Sequence, residues 1–375
     1  KVNLGVGVYF DEDGKLPLLA CVQAAEKTLM DKAAPRGYLP IDGIAAYDSA
    51  VKGLIFGTNS AVVQEGRVAT VQTLGGTGGL KIGADFLKKI NPNAKVLISD
   101  PSWENHRALF SNAGFLVETY IYYDAGKRGV NFDGMLASLK AAVPGTIVVL
   151  HACCHNPTGY DITPAQWDQV VEAVRAGRLI AFLDMAYQGF GHGIAEDGAV
   201  IGKFVDAGLN FFVSSCFSER LSLYGERVGA LSVVCSGKEE TARVLSQLKI
   251  TIRTNYSNPP THGAAVVAAV LNTPELRQQR EQELGAIRAR IKQMREKLVE
   301  GLKAAGVQRD MSFITQQIGM FSYSGLSKDQ MVRLRSEFGV YGTDSGRMCV
   351  AALNKKNIAY VCEAMAKVLD ATVAA

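Results

Sequence analysis

Short apolar segments alternate with longer segments of helical periodicity over most of the chain. Runs rich in β-branched and aromatic residues predict seven strands. They lie at residues 68–74, 96–99, 116–123, 146–151, 179–184, 211–216 and 230–235. Helical patterns occur between them, at residues 79–90, 164–176 and 200–208. Because several strands are almost wholly apolar, we expect helices on both faces of a mostly parallel sheet, as in a doubly wound α/β domain.

The pattern changes after about 270 residues. Pro274 follows Thr273, as at many helix starts, and a long helix with an apolar stripe comes next. The remainder is typical of a smaller α+β domain. We therefore predict a large domain at residues 17–286 and a small domain formed by residues 1–16 together with residues 287–375.

Composition narrows the class of protein. The 375 residues include 40 Lys and Arg against 36 Asp and Glu, a net charge of +4. Because no basic run stands out, we expect neither nucleic acid nor a membrane surface as a partner. No apolar run reaches the ~18–20 residues that span a bilayer. The seven cysteines form no CxxC pair, which is typical of a reduced, cytoplasmic protein without a metal site.

Polar residues cluster where predicted strands end. The glycine-rich segment 75–79 follows one strand and opens a helix, where backbone N–H groups attract anions. Segment 102–106 follows the next strand, and HACCHNPTG at 151–159 ends another. Asp184 ends an apolar strand, and Tyr187 comes three residues later. Because open α/β sheets place ligands at the carboxyl ends of their strands, we predict a ligand site at this edge.

These motifs, together with VNLGVGVYFDEDGK at residues 2–15 and GRMCVAALN at residues 346–354, resemble the class I, pyridoxal-phosphate-dependent aminotransferases of the aspartate/aromatic (tyrosine) branch. The resemblance spans essentially the whole chain. It implies the aminotransferase fold type I, a homodimer with shared active sites, and amino-group exchange between dicarboxylic or aromatic amino acids and 2-oxo acids. The family's N-terminal arm is not found before Lys1, so we expect N-terminal residues to be missing.

The resemblance implies a site for pyridoxal 5′-phosphate or pyridoxamine 5′-phosphate. Arg227 matches the family's bidentate phosphate ligand. Asp184 matches the partner of the protonated pyridine nitrogen, with His106 behind it. Tyr38 would reach the phosphate from the neighbouring subunit. The other matching positions are Thr77 and Gly78 at the phosphate, Trp103 on the ring face, Asn156 and Tyr187 at the phenolic oxygen, and Cys216 and Ser218 in the segment before Arg227.

The resemblance also implies where a substrate binds. Arg347 matches the clamp on the α-carboxylate, helped by Asn156 and the backbone near Gly7, because a guanidinium fork meets both carboxylate oxygens. Arg253 matches the arginine that binds the side-chain carboxylate of dicarboxylic substrates. In the family the partner subunit contributes this arginine, with Ser257 nearby.

Glu219 occupies the position of the family's Schiff-base lysine. Family members have Ser-x-Ser-Lys, whereas this chain has Cys216-Phe217-Ser218-Glu219 and needs no gap to Arg227. A carboxylate forms no imine with the cofactor, but it can take or deliver a proton if its pKa is raised. We therefore expect non-covalent cofactor binding and severely slowed ordinary transamination.

Three hypotheses remain open at this point. The chain is an aminotransferase-fold enzyme with Glu219 as an acid or base in altered chemistry, or a catalytically inactive paralogue that binds amino acid or cofactor, or an engineered or trapped transaminase variant. Cys216, Arg220 and Leu221 also depart from the family beside Glu219, which argues against a single-site catalytic mutant. Because the other predicted site residues are kept, retained ligand binding is favoured over a structural role.

Overall fold

The computed structural model describes residues 1–370. The helices are α1 Ala20–Lys32, α2 Ala45–Phe56, α3 Ala61–Gln64, α4 Gly75–Ile90, α5 Glu104–Asn112, α6 Phe132–Ala141, α7 Pro164–Gly177, α8 Ile194–Asp206, α9 Lys238–Tyr256, α10 His262–Asn272, α11 Pro274–Ala304, α12 Lys328–Phe338 and α13 Ile358–Asp370. The strands are β1 Val2–Asn3, β2 Val68–Leu74, β3 Lys95–Asp100, β4 Leu116–Ile121, β5 Tyr123–Asp124, β6 Gly129–Val130, β7 Ile147–His151, β8 Ile180–Met185, β9 Phe212–Cys216, β10 Val228–Val234, β11 Phe321–Tyr323, β12 Val340–Tyr341 and β13 Arg347–Cys349. Short 3-10 helices lie at Tyr224–Glu226, Ser312–Gln316 and Val350–Ala352.

Seven strands form one sheet in the order β2-β10-β9-β8-β7-β3-β4. Strand β10 is antiparallel to both neighbours, and the other pairs are parallel. Each predicted strand has a counterpart in this sheet, although the one predicted at residues 116–123 ends at Ile121 and Tyr123 belongs to β5 of a separate two-stranded sheet. This agreement confirms the mostly parallel α/β architecture. Within β7, Ile147 and Val149 join one buried apolar cluster, whereas Val148 and Leu150 join the other. Successive side chains of a strand point to opposite faces, so the sheet is covered on both.

Two helix starts differ from the prediction. Helix α4 begins at Gly75, four residues earlier than expected, because its glycines permit close packing on the sheet. A Cβ at Gly79 would lie only 2.5 Å from Ser214 Oγ. Helix α8 begins at Ile194 instead of residue 200. There Asp197 accepts hydrogen bonds from three backbone N–H groups of the preceding loop. This polar residue interrupts the apolar periodicity from which the helix start was predicted.

Helix α11 joins the large sheet to the later part of the chain. Its predicted apolar stripe is buried. Arg295, also buried on this helix, donates from Nη2 to the carbonyl oxygens of Gly319 and Phe321 at 2.6 and 2.7 Å. Strand β1 pairs in parallel with β12, and β11 pairs with β13. The domain division at residues 286 and 287 stays a prediction. Within residues 1–370, no helix is both long and apolar enough to cross a membrane.

We expect Arg295→Met to lower the free energy of unfolding by about 2–4 kcal/mol, because buried carbonyl oxygens would lose their donors. The matched control is Arg175→Met, which removes an exposed guanidinium paired with Glu172 and should change stability by less than about 1 kcal/mol. Urea unfolding followed by circular dichroism measures both. Equal effects of the two substitutions would contradict an anchoring role for Arg295.

Candidate active site

The carboxyl ends of the sheet strands open into a cavity of about 290 Å³, close to the lower end of the range for small-molecule sites. Segments that follow five strands of the sheet reach it, as expected for an open, mostly parallel sheet. The predicted site residues that line the cavity are Gly7, Thr77, Trp103, Asn156, Asp184, Tyr187, Cys216, Ser218, Glu219, Arg227 and Arg347.

Two predicted residues lie behind the cavity wall. Gly78 packs against strand β2, where an added Cβ would lie 3.1 Å from the Cβ of Leu74. His106 is fully buried on α5, and its Nε2 lies 2.7 Å from Oδ2 of the cavity residue Asp184. Both positions support the wall without contributing surface to the cavity.

The remaining predicted residues lie on an outer surface, away from their own chain's cavity. Tyr38 is 94% exposed. Arg253 is exposed near the end of α9, and its Nη1 donates to Ser257 Oγ at 2.7 Å. Asn258 Nδ2 donates to the carbonyl oxygen of Leu39 at 3.3 Å, which joins the Tyr38 segment to the end of α9. The three residues therefore belong to one outer surface, called here the Tyr38–Arg253 face.

A hydrogen-bonded chain lies beneath Asp184. His106 Nδ1 lies 2.8 Å from Ser102 Oγ, which in turn lies 3.1 Å from His151 Nε2. Burial lowers the pKa of His151 to about 3, and the neighbouring His106 adds to this effect. His151 is therefore neutral at physiological pH and shares hydrogen bonds without adding charge. Asp184 is held in place by a buried imidazole and faces the cavity.

The glycine-rich turn and Arg227 form one end of the cavity. The first backbone N–H groups of α4 have no partner within the helix, and Thr77 of this turn lines the cavity. Gly75 has a positive φ of 69°, and a Cβ there would lie 2.5 Å from Arg227 Nη2. Glycine thus allows the guanidinium to lie against the turn. A helix N-terminus beside a guanidinium favours an anion such as a phosphate.

Glu219 lies in the same cavity and is partly buried. Burial raises the pKa of Glu219 to about 7, and the charge of Asp184 acts in the same direction. The guanidinium groups of Arg220 and Arg227 oppose this rise. Glu219 Oε2 is buried and has no hydrogen-bond partner among residues 1–370. A carboxyl group with a pKa near neutrality can gain and lose protons at physiological pH.

Arg347 forms the wall on the side of the later strands. Its Nη1 donates to Asn156 Oδ1 at 3.1 Å, and its Nη2 donates to the carbonyl oxygen of Gly5 at 3.0 Å. The guanidinium carbon lies 4.4 Å from the centroid of the Phe321 ring. The planar cation is therefore held in a fixed orientation at the cavity, as a carboxylate-binding arginine requires.

Two larger cavity side chains, Tyr224 and Phe321, were not among the predicted site residues. Tyr224 lies three residues before Arg227, and this proximity was the available signal. No local motif marks Phe321, which reaches the site through the pairing of β11 with β13. The other lining residues outside the predicted set are Gly76, Leu80, Glu104, His151, Cys153 and Ala186.

Comparison with known proteins identifies the family. Residues 1–365 match the family described as aminotransferase class I and II. The chain is 60% identical over 369 residues to an aspartate aminotransferase of Pseudomonas aeruginosa, with 98% of this chain and 93% of that protein covered. It is 51% identical over 372 residues to an aromatic-amino-acid aminotransferase of Escherichia coli, with the same two shares covered.

A solved structure gives the same result. An aromatic-amino-acid aminotransferase from Burkholderia pseudomallei, covalently bound to pyridoxal phosphate, is 65% identical and superimposes with a TM-score of 0.97, covering 98% of this chain and 92% of that one. The chain therefore belongs to the class I and II aminotransferase family and has the aminotransferase fold type I. Within the family it falls in the aspartate/aromatic branch, which confirms the resemblance.

Because the pKa of Glu219 is raised, we expect the difference in stability between the unmodified protein and the Glu219→Gln variant to depend on pH. Between pH 4.5, the ordinary value, and pH 7, the folded protein keeps a proton that the unfolded chain has released. Stability therefore falls as pH rises through this window, by up to about 3 kcal/mol. The glutamine variant has no group that titrates at this position. Its free energy of unfolding minus that of the unmodified protein should therefore increase by this amount as pH rises through the window.

Urea unfolding of the cofactor-free proteins at pH 4.5 and pH 8 measures this difference. Glu226→Gln, on the exposed part of the same segment, is the matched control and should show no comparable change. A pH-independent difference between the Glu219→Gln variant and the unmodified protein would contradict the raised pKa.

Proposed function

We propose that the chain is a pyridoxal-phosphate-family enzyme that binds its cofactor non-covalently and uses Glu219 as the acid or base at the reacting carbon of an amino acid. The observation that carries the proposal is the cavity itself. It combines an anion-binding turn, a buried carboxylate and an orienting arginine, whereas none of the residues described as lining it is a lysine. The side chain of Glu219 lines the cavity instead.

The residues present fit the cofactor. Arg227 and the first turn of α4 would bind its phosphate, and Asp184 would pair with its protonated pyridine nitrogen. Trp103 would stack on the ring. Asn156 and Tyr187 would donate to the phenolic oxygen. The buried, unpartnered Oε2 of Glu219 shows that the cavity wall also holds an acceptor that a ligand can satisfy.

When bound, the cofactor withdraws electrons from the substrate and so acidifies its α-hydrogen. Residues of the chain itself bind the substrate and move the proton. Arg347 binds the substrate α-carboxylate and orients the amino acid. Glu219, with its pKa of about 7, accepts the α-proton in its ionised form and returns it in its protonated form. Without a lysine amine, release of product depends on water or a free amine.

The names of relatives and the position of Arg253 support the proposed substrate class. Relatives are named as aspartate and aromatic-amino-acid aminotransferases, and a related Psychrobacter enzyme was cocrystallised with aspartic acid. We propose dicarboxylic and aromatic amino acids and their 2-oxo acids as substrates. In a homodimer, the Tyr38–Arg253 face would meet the partner's cavity, where Arg253 would bind the side-chain carboxylate.

The seven cysteines are all unpaired, which supports a reducing compartment such as the cytoplasm.

Exchange of the α-hydrogen tests the role of Glu219. With pyridoxal phosphate in D₂O, the unmodified protein should incorporate deuterium at the α-carbon of aspartate or tyrosine, as measured by proton NMR. Glu219→Ala should slow this exchange about 100-fold or more, because the positioned acid or base is lost. Glu226→Ala, which removes an exposed acid of the same segment, should leave the rate unchanged.

A second variant controls for the integrity of the site. Glu219→Lys should form a covalent cofactor adduct that borohydride fixes at residue 219, and it should transaminate. In the unmodified protein borohydride should fix no adduct within the cavity. A cavity adduct in the unmodified protein, or exchange that survives Glu219→Ala, would refute the proposal. If the cofactor binds but no amino acid exchanges its α-hydrogen, the cavity has a binding role without catalysis.

Subunit complementation tests the shared site. Asp184→Ala removes a residue of a chain's own cavity, and Arg253→Ala removes one that serves the partner. Each variant alone should lose aspartate exchange at low substrate concentration. A hybrid dimer, isolated with two different tags, should regain it because one of its two sites is complete. A hybrid without activity, or a monomer in sedimentation velocity, would contradict the shared site.

A further inference from the structure

Resting on the proposed cofactor site, we propose that Glu219 makes the cavity selective for the amine form of the cofactor, pyridoxamine 5′-phosphate, over forms that carry an uncharged group at the same ring carbon. The two carboxylates of the site differ in their partners. Asp184 Oδ2 is 2.7 Å from His106 Nε2, whereas Glu219 Oε2 is buried and unpartnered among residues 1–370. Glu219 therefore lacks a donor that a ligand could supply.

The covalent structure of the cofactor places its 4′ group toward Glu219. The 4′ carbon is para to the ring nitrogen, and it lies between the carbons that bear the phenolic oxygen and the phosphate arm. If the nitrogen pairs with Asp184, the 4′ group points away from Asp184 and lies between the phenolic side and the phosphate side of the cavity. A residue that faces this group must therefore lie between Tyr187 and Arg227.

Glu219 lines the same cavity as Tyr187 and Arg227, and the charges of these groups affect one another. After burial, the charge of Glu219 is the largest cause that raises the pKa of the Tyr187 phenol. It also raises the pKa of the Cys216 thiol, while Arg227 lowers the pKa of Glu219. Glu219 therefore interacts electrostatically with groups on both flanks of the cavity that it lines. Of the acidic residues that line the cavity, Asp184 would pair with the ring nitrogen and Glu104 lies on the segment that carries Trp103, so the 4′ group would meet Glu219.

The neighbouring Arg220 does not replace such a donor. It is fully buried, and its Nε donates to the carbonyl oxygen of Cys216 at 2.6 Å. Its Nη1 donates to Gln188 Oε1 at 2.8 Å, and its guanidinium lies over the Phe217 ring. No nitrogen of Arg220 lies within ion-pair distance of Glu219 among the described residues.

The chemistry of the 4′ group then decides the affinity. An aminomethyl group is an ammonium ion with three donors, so it forms a charge-assisted hydrogen bond with an ionised carboxylate. An aldehyde oxygen is only an acceptor, and facing a carboxylate it leaves both groups without a donor. A hydroxymethyl group can donate one hydrogen bond to the carboxylate but has no charge to pair with it, so we expect the ammonium to bind roughly 10-fold or more tightly.

Calorimetric titration of the cofactor-free protein tests the proposal at pH 8.5, where Glu219 is ionised. The ligands are pyridoxamine 5′-phosphate and pyridoxine 5′-phosphate, which carries a neutral hydroxymethyl group and does not react with surface lysines. Pyridoxal phosphate is titrated as a third ligand. The unmodified protein should bind the amine about 10-fold or more tightly than pyridoxine phosphate, and pyridoxal phosphate no more tightly than pyridoxine phosphate.

Variants of Glu219 test whether its carboxylate causes the preference for the amine. Glu219→Gln should bring the affinities for the amine and for pyridoxine phosphate within about threefold, and Glu219→Ala provides a second test if the glutamine variant folds poorly. Arg227→Ala should weaken both ligands by the same factor, because it removes a phosphate contact that they share. Circular dichroism melting confirms that each variant is folded.

The outcomes separate this inference from the proposed function. If the unmodified protein binds both ligands equally, or if the preference survives both Glu219 variants, the amine selectivity is wrong while the cofactor site stands. If no pyridoxyl phosphate binds to the folded protein, the proposed function itself is wrong.

Discussion

The contact between His106 and Asp184 is the interaction on which the site depends. It places a carboxylate at the end of a central strand of the sheet, where the chain otherwise buries apolar side chains on both faces. The imidazole supplies the donor that this carboxylate needs, and Ser102 and His151 continue the hydrogen bonding inward. The negative charge that remains at the cavity raises the pKa of Glu219. The pKa of Glu219 thus depends first on burial and also on the charge of Asp184.

Asp184 and Glu219, two of the carboxyl groups that line the cavity, therefore differ in their surroundings. Asp184 has a fixed partner, since its Oδ2 lies 2.7 Å from His106 Nε2. Glu219 has no partner for one oxygen, and its pKa lies near neutrality. Two carboxyl groups whose environments differ in this way are a recurrent means of dividing acid–base work within one site. In a family whose relatives include a structure with covalently bound pyridoxal phosphate, this division would transfer proton handling from an amine to a carboxyl group.

Much of the fold could be predicted because each sheet strand is a short apolar run with helices on both sides. The start of α4 could not be predicted, since glycine has low helix propensity and only the close packing at Gly79 explains the helix there. Site residues at strand ends were predictable from topology. Phe321 was not, because it reaches the cavity through the pairing of β11 with β13, a long-range contact without a local signal. The unpartnered oxygen of Glu219 likewise depends on packing that the sequence does not display.

The hydrogen bond from Arg347 to the carbonyl oxygen of Gly5 joins residues that are 342 positions apart, and β1 pairs with β12 in the same region. During synthesis at ordinary translation rates, residue 5 is added to the chain roughly 20–70 s before residue 347. The wall that Arg347 forms thus closes only after residue 347 has been added. All strands of the seven-stranded sheet are synthesised before this wall can close.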